Sequence, residues 1–208
     1  LIQKQLQFNS KSSFERAFNY SITACNLEMA TLIEQIKVDT PIKNINEVDY
    51  SLTLTTLVRK TLGVDNMSEF IELLRIYLKY FTGIYLEKAL NIILDESIAL
   101  SNTEIALFAL SYQKVNNPNQ LVMACYLNLP EVVKKMIEIC PDPNFYNYSY
   151  SIFGTPINSA CKKGNESVVD ILLTLPNLNL STNPNPLSSA AFSRNYSIFV
   201  KILKRKVC

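Results

Sequence analysis

The chain contains no histidine. That absence removes Ser-His-Asp and Cys-His nucleophilic sites, histidine general bases and histidine metal ligands together, so an enzyme built from these residues alone would need Lys, Tyr or carboxylate chemistry. Charge is also scarce. Only 18% of the 208 residues are charged and the net charge is +2, which lacks the dense basic footprint of a nucleic-acid binder. No apolar run approaches the roughly 18 residues that a bilayer crossing demands, so no membrane span is expected. The opening LIQKQLQFNS is neither a signal peptide nor an initiator methionine, which suggests a piece of a longer protein. There is no CxxC pair among the five cysteines, at 25, 125, 140, 161 and 208, an odd number in a chain far longer than a disulfide-stapled module. These features point to a soluble, reduced, intracellular and cytoplasmic setting.

What the chain does have is apolar material, 48% of its residues, and that material recurs in a pattern. NQLVMACYLNLPEVVKKMI (Asn119 to Ile137), TPINSACKKGNESVVDILL (Thr155 to Leu173) and NPLSSAAFSRNYSIFVKIL (Asn185 to Leu203) are copies of one unit, offset by 36 and then 30 residues. Ala124, Ala160 and Ala190 coincide, as do Val132-Val133 and Val168-Val169. In each copy a short helix with small residues is followed by a second with an apolar face at helical spacing. Thr155 or Asn185 can cap the first helix, with Pro156 or Pro186 at its first position. Gly164 or Asn128, both tolerant of positive φ, can end it.

The copies resemble the ankyrin repeat, whose pattern runs roughly Thr-Pro-Leu-His-x-Ala-Ala-x-x-Gly-x-x-x-Val-Val-x-x-Leu-Leu over about 33 residues. Thr155, Pro156, Ile157, Ala160, Gly164, Val168, Val169, Leu172 and Leu173 match it. The family's histidine is replaced by Val122, Asn158 and Ser188 in the three copies. The first half, residues 14–112, can be laid on the same template less closely. Phe18 takes the Leu position, and Glu28, Glu69 and Glu104 mark second helices equivalent to those at Glu131, Ser167 and Ser197. The steps between these six landmarks are 41, 35, 27, 36 and 30 residues. The reading is a single all-α repeat domain over 1–208, an ankyrin-type helical solenoid of about six helix pairs with short hairpin or loop fingers. It is divergent over 1–112 and clearer over 113–208. Phe70 to Glu96 is expected to form two longer helices meeting at Thr82-Gly83.

The stretch GTPINSACKKGNE gathers a cysteine, two lysines and a carboxylate, and could be read as a reactive site. The repeat aligns Cys161 with Cys125 and Ala191, a position for a small residue packed between helices, so a structural role is expected. A Cys125–Cys161 disulfide is not expected, because equivalent positions on stacked helices lie roughly 8 to 10 Å apart. Lys162 and Lys163 fall at a helix C-terminus, where cations meet the negative end of the dipole. The resemblance further implies that first helices line a concave face, where these lysines, Tyr126 and Phe192 can touch a partner. GNE followed by SVVD lacks the pattern of a phosphate loop. The basic end KILKRKVC reads as a solvated helix terminus.

DPNFYNYSYSIF, Asp142 to Phe153, corresponds to the family's projecting finger. Tyr146, Tyr148 and Tyr150 alternate with Asn147 and Ser149, so a period-2 hairpin would turn the tyrosines to one side, flanked by Phe145 and Phe153. Exposed aromatics of this kind are enriched at interfaces, although they can also cover the stack. The expected function is therefore a protein–protein interaction module, not an enzyme, with no cofactor and no metal. Its partner is another protein, bound through Tyr126, Phe145, Tyr146, Tyr148, Tyr150, Phe153, Lys162 and Lys163. The alternative is a targeting or regulatory segment of a larger enzyme.

Overall fold

The computed structural model describes residues 11–35, 47–61, 66–112, 117–139, 142–146 and 154–207. Among the described residues are twelve α-helices and no β-strand. The helices are α1 (Lys11–Thr23), α2 (Leu27–Gln35), α3 (Glu47–Arg59), α4 (Met67–Leu78), α5 (Gly83–Ala99) and α6 (Thr103–Ser111), followed by α7 (Pro118–Tyr126), α8 (Pro130–Ile139), α9 (Pro156–Lys163), α10 (Glu166–Leu173), α11 (Pro186–Phe192) and α12 (Tyr196–Val207). The helical run from Phe70 is broken after Leu78, and α5 begins at Gly83, whose φ of +55° suits a residue without Cβ. The chain forms two compact units, Leu1–Glu96 and Ser97–Cys208.

One local device recurs at five of the junctions between helices, α1–α2, α5–α6, α7–α8, α9–α10 and α11–α12. Cys25, Ser101, Asn128, Gly164 and Arg194 all have positive φ, between 56° and 74°, and each stands three residues before an expected landmark: Glu28, Glu104, Glu131, Ser167 and Ser197. The following residue donates its N–H five residues back, Asn26 to Ser21 O, Asn102 to Ser97 O, Leu129 to Ala124 O and Asn165 to Ala160 O, at 2.8 to 3.0 Å. Such bonds satisfy carbonyls that a helix end leaves open. The turn then serves as the cap of the second helix. Asn26, Asn102 and Asn195 each accept with Oδ1 from the N–H three residues on. The landmark at Glu69 is displaced by one residue: Asn66 takes the N-cap place and Ser68 the second helical position that Glu28 and Glu104 hold elsewhere.

In the first unit α1 packs on α2 and α3, and α2 packs on α4. Its core combines aliphatic side chains, among them Ile22, Leu54, Leu57 and Leu74, with a cluster of aromatic rings. Phe18, at the position expected for a core Leu, is buried against Tyr77 and Tyr80, with ring centroids 5.9 and 4.9 Å away, and Phe81 meets Tyr50 and Tyr77 edge-on at 5.2 Å. Each such pair adds about 1 kcal/mol beyond the area it buries. Ion pairs lie at the surface, Arg59 with Glu96 and Lys79 with Glu34, and Lys60 Nζ donates to Thr23 O.

In the second unit the helices form two rows. α7, α9 and α11 pack one on the next, α6, α8, α10 and α12 do the same, and α7–α8, α9–α10 and α11–α12 are paired across the rows. Val132, Val133, Val168, Val169 and Ile198 are fully buried between neighbours, each burial being worth about 2 kcal/mol. Phe199, equivalent to Val133 and Val169, is only half-buried, and Leu203 is exposed. A helix pair of this kind depends on the neighbours on both of its sides.

Candidate functional site

α9 carries Cys161, Lys162 and Lys163. Thr155 Oγ1 accepts from Asn158 N at 3.4 Å, Pro156 occupies the first turn, and Gly164 ends the helix with φ +74°. α7 has the same start, but two residues earlier than the copy at Asn119 predicts: Asn117 Oδ1 accepts from Asn119 N and Pro118 is the first helical residue. The Asn117-Pro118 dipeptide carries that signal in the sequence.

Cys125 and Cys161 are free thiols with no exposed surface. Burial pushes the Cys161 thiol up to about 12 and the Cys125 thiol higher still, so both are protonated at neutral pH and lack the thiolate that nucleophilic chemistry needs. The ammonium groups of the two neighbouring lysines lie over aromatic rings. Lys163 Nζ is 4.3 Å from the centroid of Tyr126 on α7, and Lys162 Nζ is 5.8 Å from that of Phe192 on α11. Consecutive residues point about 100° apart around a helix, so one lysine reaches the helix before and the other the helix after. Phe192 is 73% exposed. α7, α9 and α11 contain no Asp or Glu, whereas α8 holds Glu131 and Glu138 and α10 holds Glu166 and Asp170.

Asparagines form the joints between helix pairs. Asn165 Nδ2 donates to Cys125 O and Tyr126 O at 2.8 and 2.9 Å, closing the end of α7 from the next pair. Its amide is committed there and makes no cap bond to its own helix α10. Asn158, standing where the repeat pattern has histidine, donates from a buried Nδ2 to Thr182 Oγ1 at 3.1 Å and to Pro184 O at 2.8 Å. The Asn158 amide thus ties α9 to the loop that precedes α11. Asn144 brackets the loop after α10, donating to Asn177 O at 2.8 Å and accepting from Asn179 N at 2.7 Å. On the second row Lys201 pairs with Glu166 at 2.7 Å and Asp170 at 2.6 Å, and Ser197 Oγ donates to Glu166. These bonds hold the Glu166 carboxyl below its usual range and raise Lys201. None of these joints is visible as a short motif, because the partners lie 24 to 40 residues apart.

The expected site residues are therefore brought together in part. Tyr126, Lys162 and Lys163 meet in one patch that includes Phe192. Phe145 and Tyr146 are half-buried beside the Asn144 bracket, while Tyr148, Tyr150 and Phe153 lie outside the described residues. Among the described residues no group of three or more Cys, Asp or Glu side chains could hold a metal ion, and no helix is long and apolar enough to cross a membrane. No protein-family model and no curated protein matches the chain.

Proposed function

We propose that this chain is an ankyrin-type helical-repeat module that binds another protein. The observation that carries the reading is the recurrent positive-φ turn, found three residues before five of the six landmarks, together with the two rows of helices in the second unit. A row of short first helices offers side chains to a partner while the second helices hold the scaffold. Lys163 on Tyr126 and Lys162 on Phe192 present large aromatic area at low entropic cost, as interface anchors do. The buried Ala124, Cys125, Ala160, Cys161 and Ala190 let the helices of that row pack closely.

Affinity capture from native lysate tests this, followed by titration of the purified partner. The Phe192→Ala/Lys163→Ala variant is expected to lose about tenfold or more in affinity with an unchanged melting temperature. Undiminished binding of every captured protein by that variant would remove the first-helix row as the recognition surface.

A further inference from the structure

We infer that the outward side of the α11–α12 pair is a docking face for a second copy of this chain, set against the first by a two-fold axis. This goes beyond the protein-binding reading and uses none of its proposed contact residues. In the second unit the earlier helix pairs bury one side against the pair that follows. Cys125 and Cys161 on α7 and α9, and Val133 and Val169 on α8 and α10, have no exposed surface. Their equivalents do: Ala191 on α11 is exposed and Phe199 on α12 is half-buried. Ser188, which stands where Val122 and Asn158 are buried, is exposed as well. Tyr196 is 81% exposed and Leu203 43%. On a helix turning about 100° per residue, Tyr196, Phe199 and Leu203 lie within about 60° of one another, opposite Lys201. Lys201 grips Glu166 and Asp170, so α12 turns one side to α10 and an apolar side outward.

The chemistry of this side selects its occupant. At the α10–α12 joint the earlier helix supplies carboxylates, Glu166 accepting from Ser197 and Lys201, and Asp170 from Lys201. At the offset of 30 residues Tyr196 and Val200 stand where Glu166 and Asp170 do. A further helix pair built like α11–α12 would bring a serine and a lysine against a ring and an aliphatic side chain, with no acceptor to receive them. A second copy offers what it meets, because an isologous two-fold contact sets the same groups on both sides. Neither α11 nor α12 holds a carboxylate, so the contact buries no negative charge. Lys204 and Arg205 are turned about 100° or more from the centre of the apolar side, which leaves their like charges in solvent, where salt screens them. Ser188 and Ala191 are small enough to let two α11 helices approach closely. Tyr196, Phe199 and Leu203 supply the apolar area that drives association.

The test is sedimentation equilibrium of the intact chain from about 1 to about 100 µM, a range that brackets the dissociation constants of modest interfaces. A monomer–dimer equilibrium is expected. Ala191→Arg and Leu203→Glu, both at solvent-facing positions of the monomer, should each weaken dimerisation about tenfold or more with an unchanged circular dichroism spectrum. Leu52→Glu makes the same kind of change on exposed α3 and should dimerise as the wild type does. Mixing Leu203→Glu with Leu203→Lys should restore dimers, since the two-fold contact sets one altered face on the other. A monomer at every concentration would overturn the inference and leave the face to a different occupant. Assemblies that grow past the dimer would mean a head-to-tail contact and would overturn it too. So would dimers that neither end-face variant weakens, or that Leu52→Glu weakens equally. None of these outcomes touches the protein-binding reading, which capture with the Phe192→Ala/Lys163→Ala variant measures separately.

Discussion

Asn165 reaches back from one helix pair to the previous one and closes the C-terminus of α7, its Nδ2 donating to Tyr126 O at 2.9 Å and to Cys125 O at 2.8 Å. Asn165→Ala leaves those carbonyls without this donor and should cost about 2 kcal/mol. Asn165→Asp should cost more at neutral pH, because a carboxylate then faces two carbonyl oxygens. Urea unfolding of the three proteins checks the order. Equal stabilities would show that solvent replaces the amide without penalty.

Cys161 is expected to act as a small apolar residue. Cys161→Ala should change stability by no more than about 1 kcal/mol, and Cys161→Asp should destabilise by about 4 kcal/mol or prevent folding, since it buries an unpaired charge. Of Cys25, Cys125 and Cys161, alkylation followed by peptide mapping should modify half-exposed Cys25 first and the other two only on unfolding. Rapid labelling of Cys161 in the native protein would contradict its burial.

The same thiol gives a pH dependence. Its folded pKa is raised to about 12 from 9.0, so the unfolded chain releases the proton first. The associated stability is complete below pH 9.0 and is lost as pH climbs toward about 12, at up to about 1.4 kcal/mol per pH unit. Wild-type unfolding free energy should therefore fall more steeply above pH 9.0 than that of Cys161→Ala. Parallel curves would refute the linkage.

Lys201 joins α12 to α10 through Glu166 and Asp170. Lys201→Met should lower the melting temperature at low salt, with the difference shrinking as salt screens the exposed charges. Glu166 has a lowered folded pKa, so its share is present above the unfolded value of 4.5 and is lost as pH falls through the folded one. The two proteins should converge in acid, and a gap that persists there would assign the effect to packing of the lysine stem.

Gly164 and Ser101 occupy equivalent turns with φ of +74° and +56°. Gly164→Ala should cost about 1 kcal/mol from the backbone conformation alone, since an added Cβ meets nothing nearer than Asn195 Nδ2 at 3.6 Å. Ser101→Gly should move the other way, by at most about 1 kcal/mol. Thermal unfolding of both variants reads the signs, and a stabilising Gly164→Ala would mean that this turn does not require positive φ.

The sequence by itself determined where most of the helices lie, α3 (Glu47–Arg59) being one that it did not show. Their positions follow from short-range physics: apolar residues at helical spacing, Asn or Thr before Pro at helix starts, and, at Asn128 and Gly164, a residue tolerant of positive φ before the second helix. That is why landmarks chosen from the pattern fall in the first turns of α2, α6, α8, α10 and α12, and one residue off in α4. Where the reading slipped, at α7, an Asn-Pro cap was present but lay outside the aligned copy. Cys25, Ser101 and Arg194 were not legible as positive-φ residues, because the hydrogen bonds that hold them there involve the whole turn. Tertiary structure alone decided the joints and the patch. Asn165 could have been a plain helix cap, Lys162 and Lys163 plain dipole partners, and Phe18 one core residue among many. Their roles depend on groups tens of residues away, brought near only when the apolar faces are buried, and no local pattern encodes that distance.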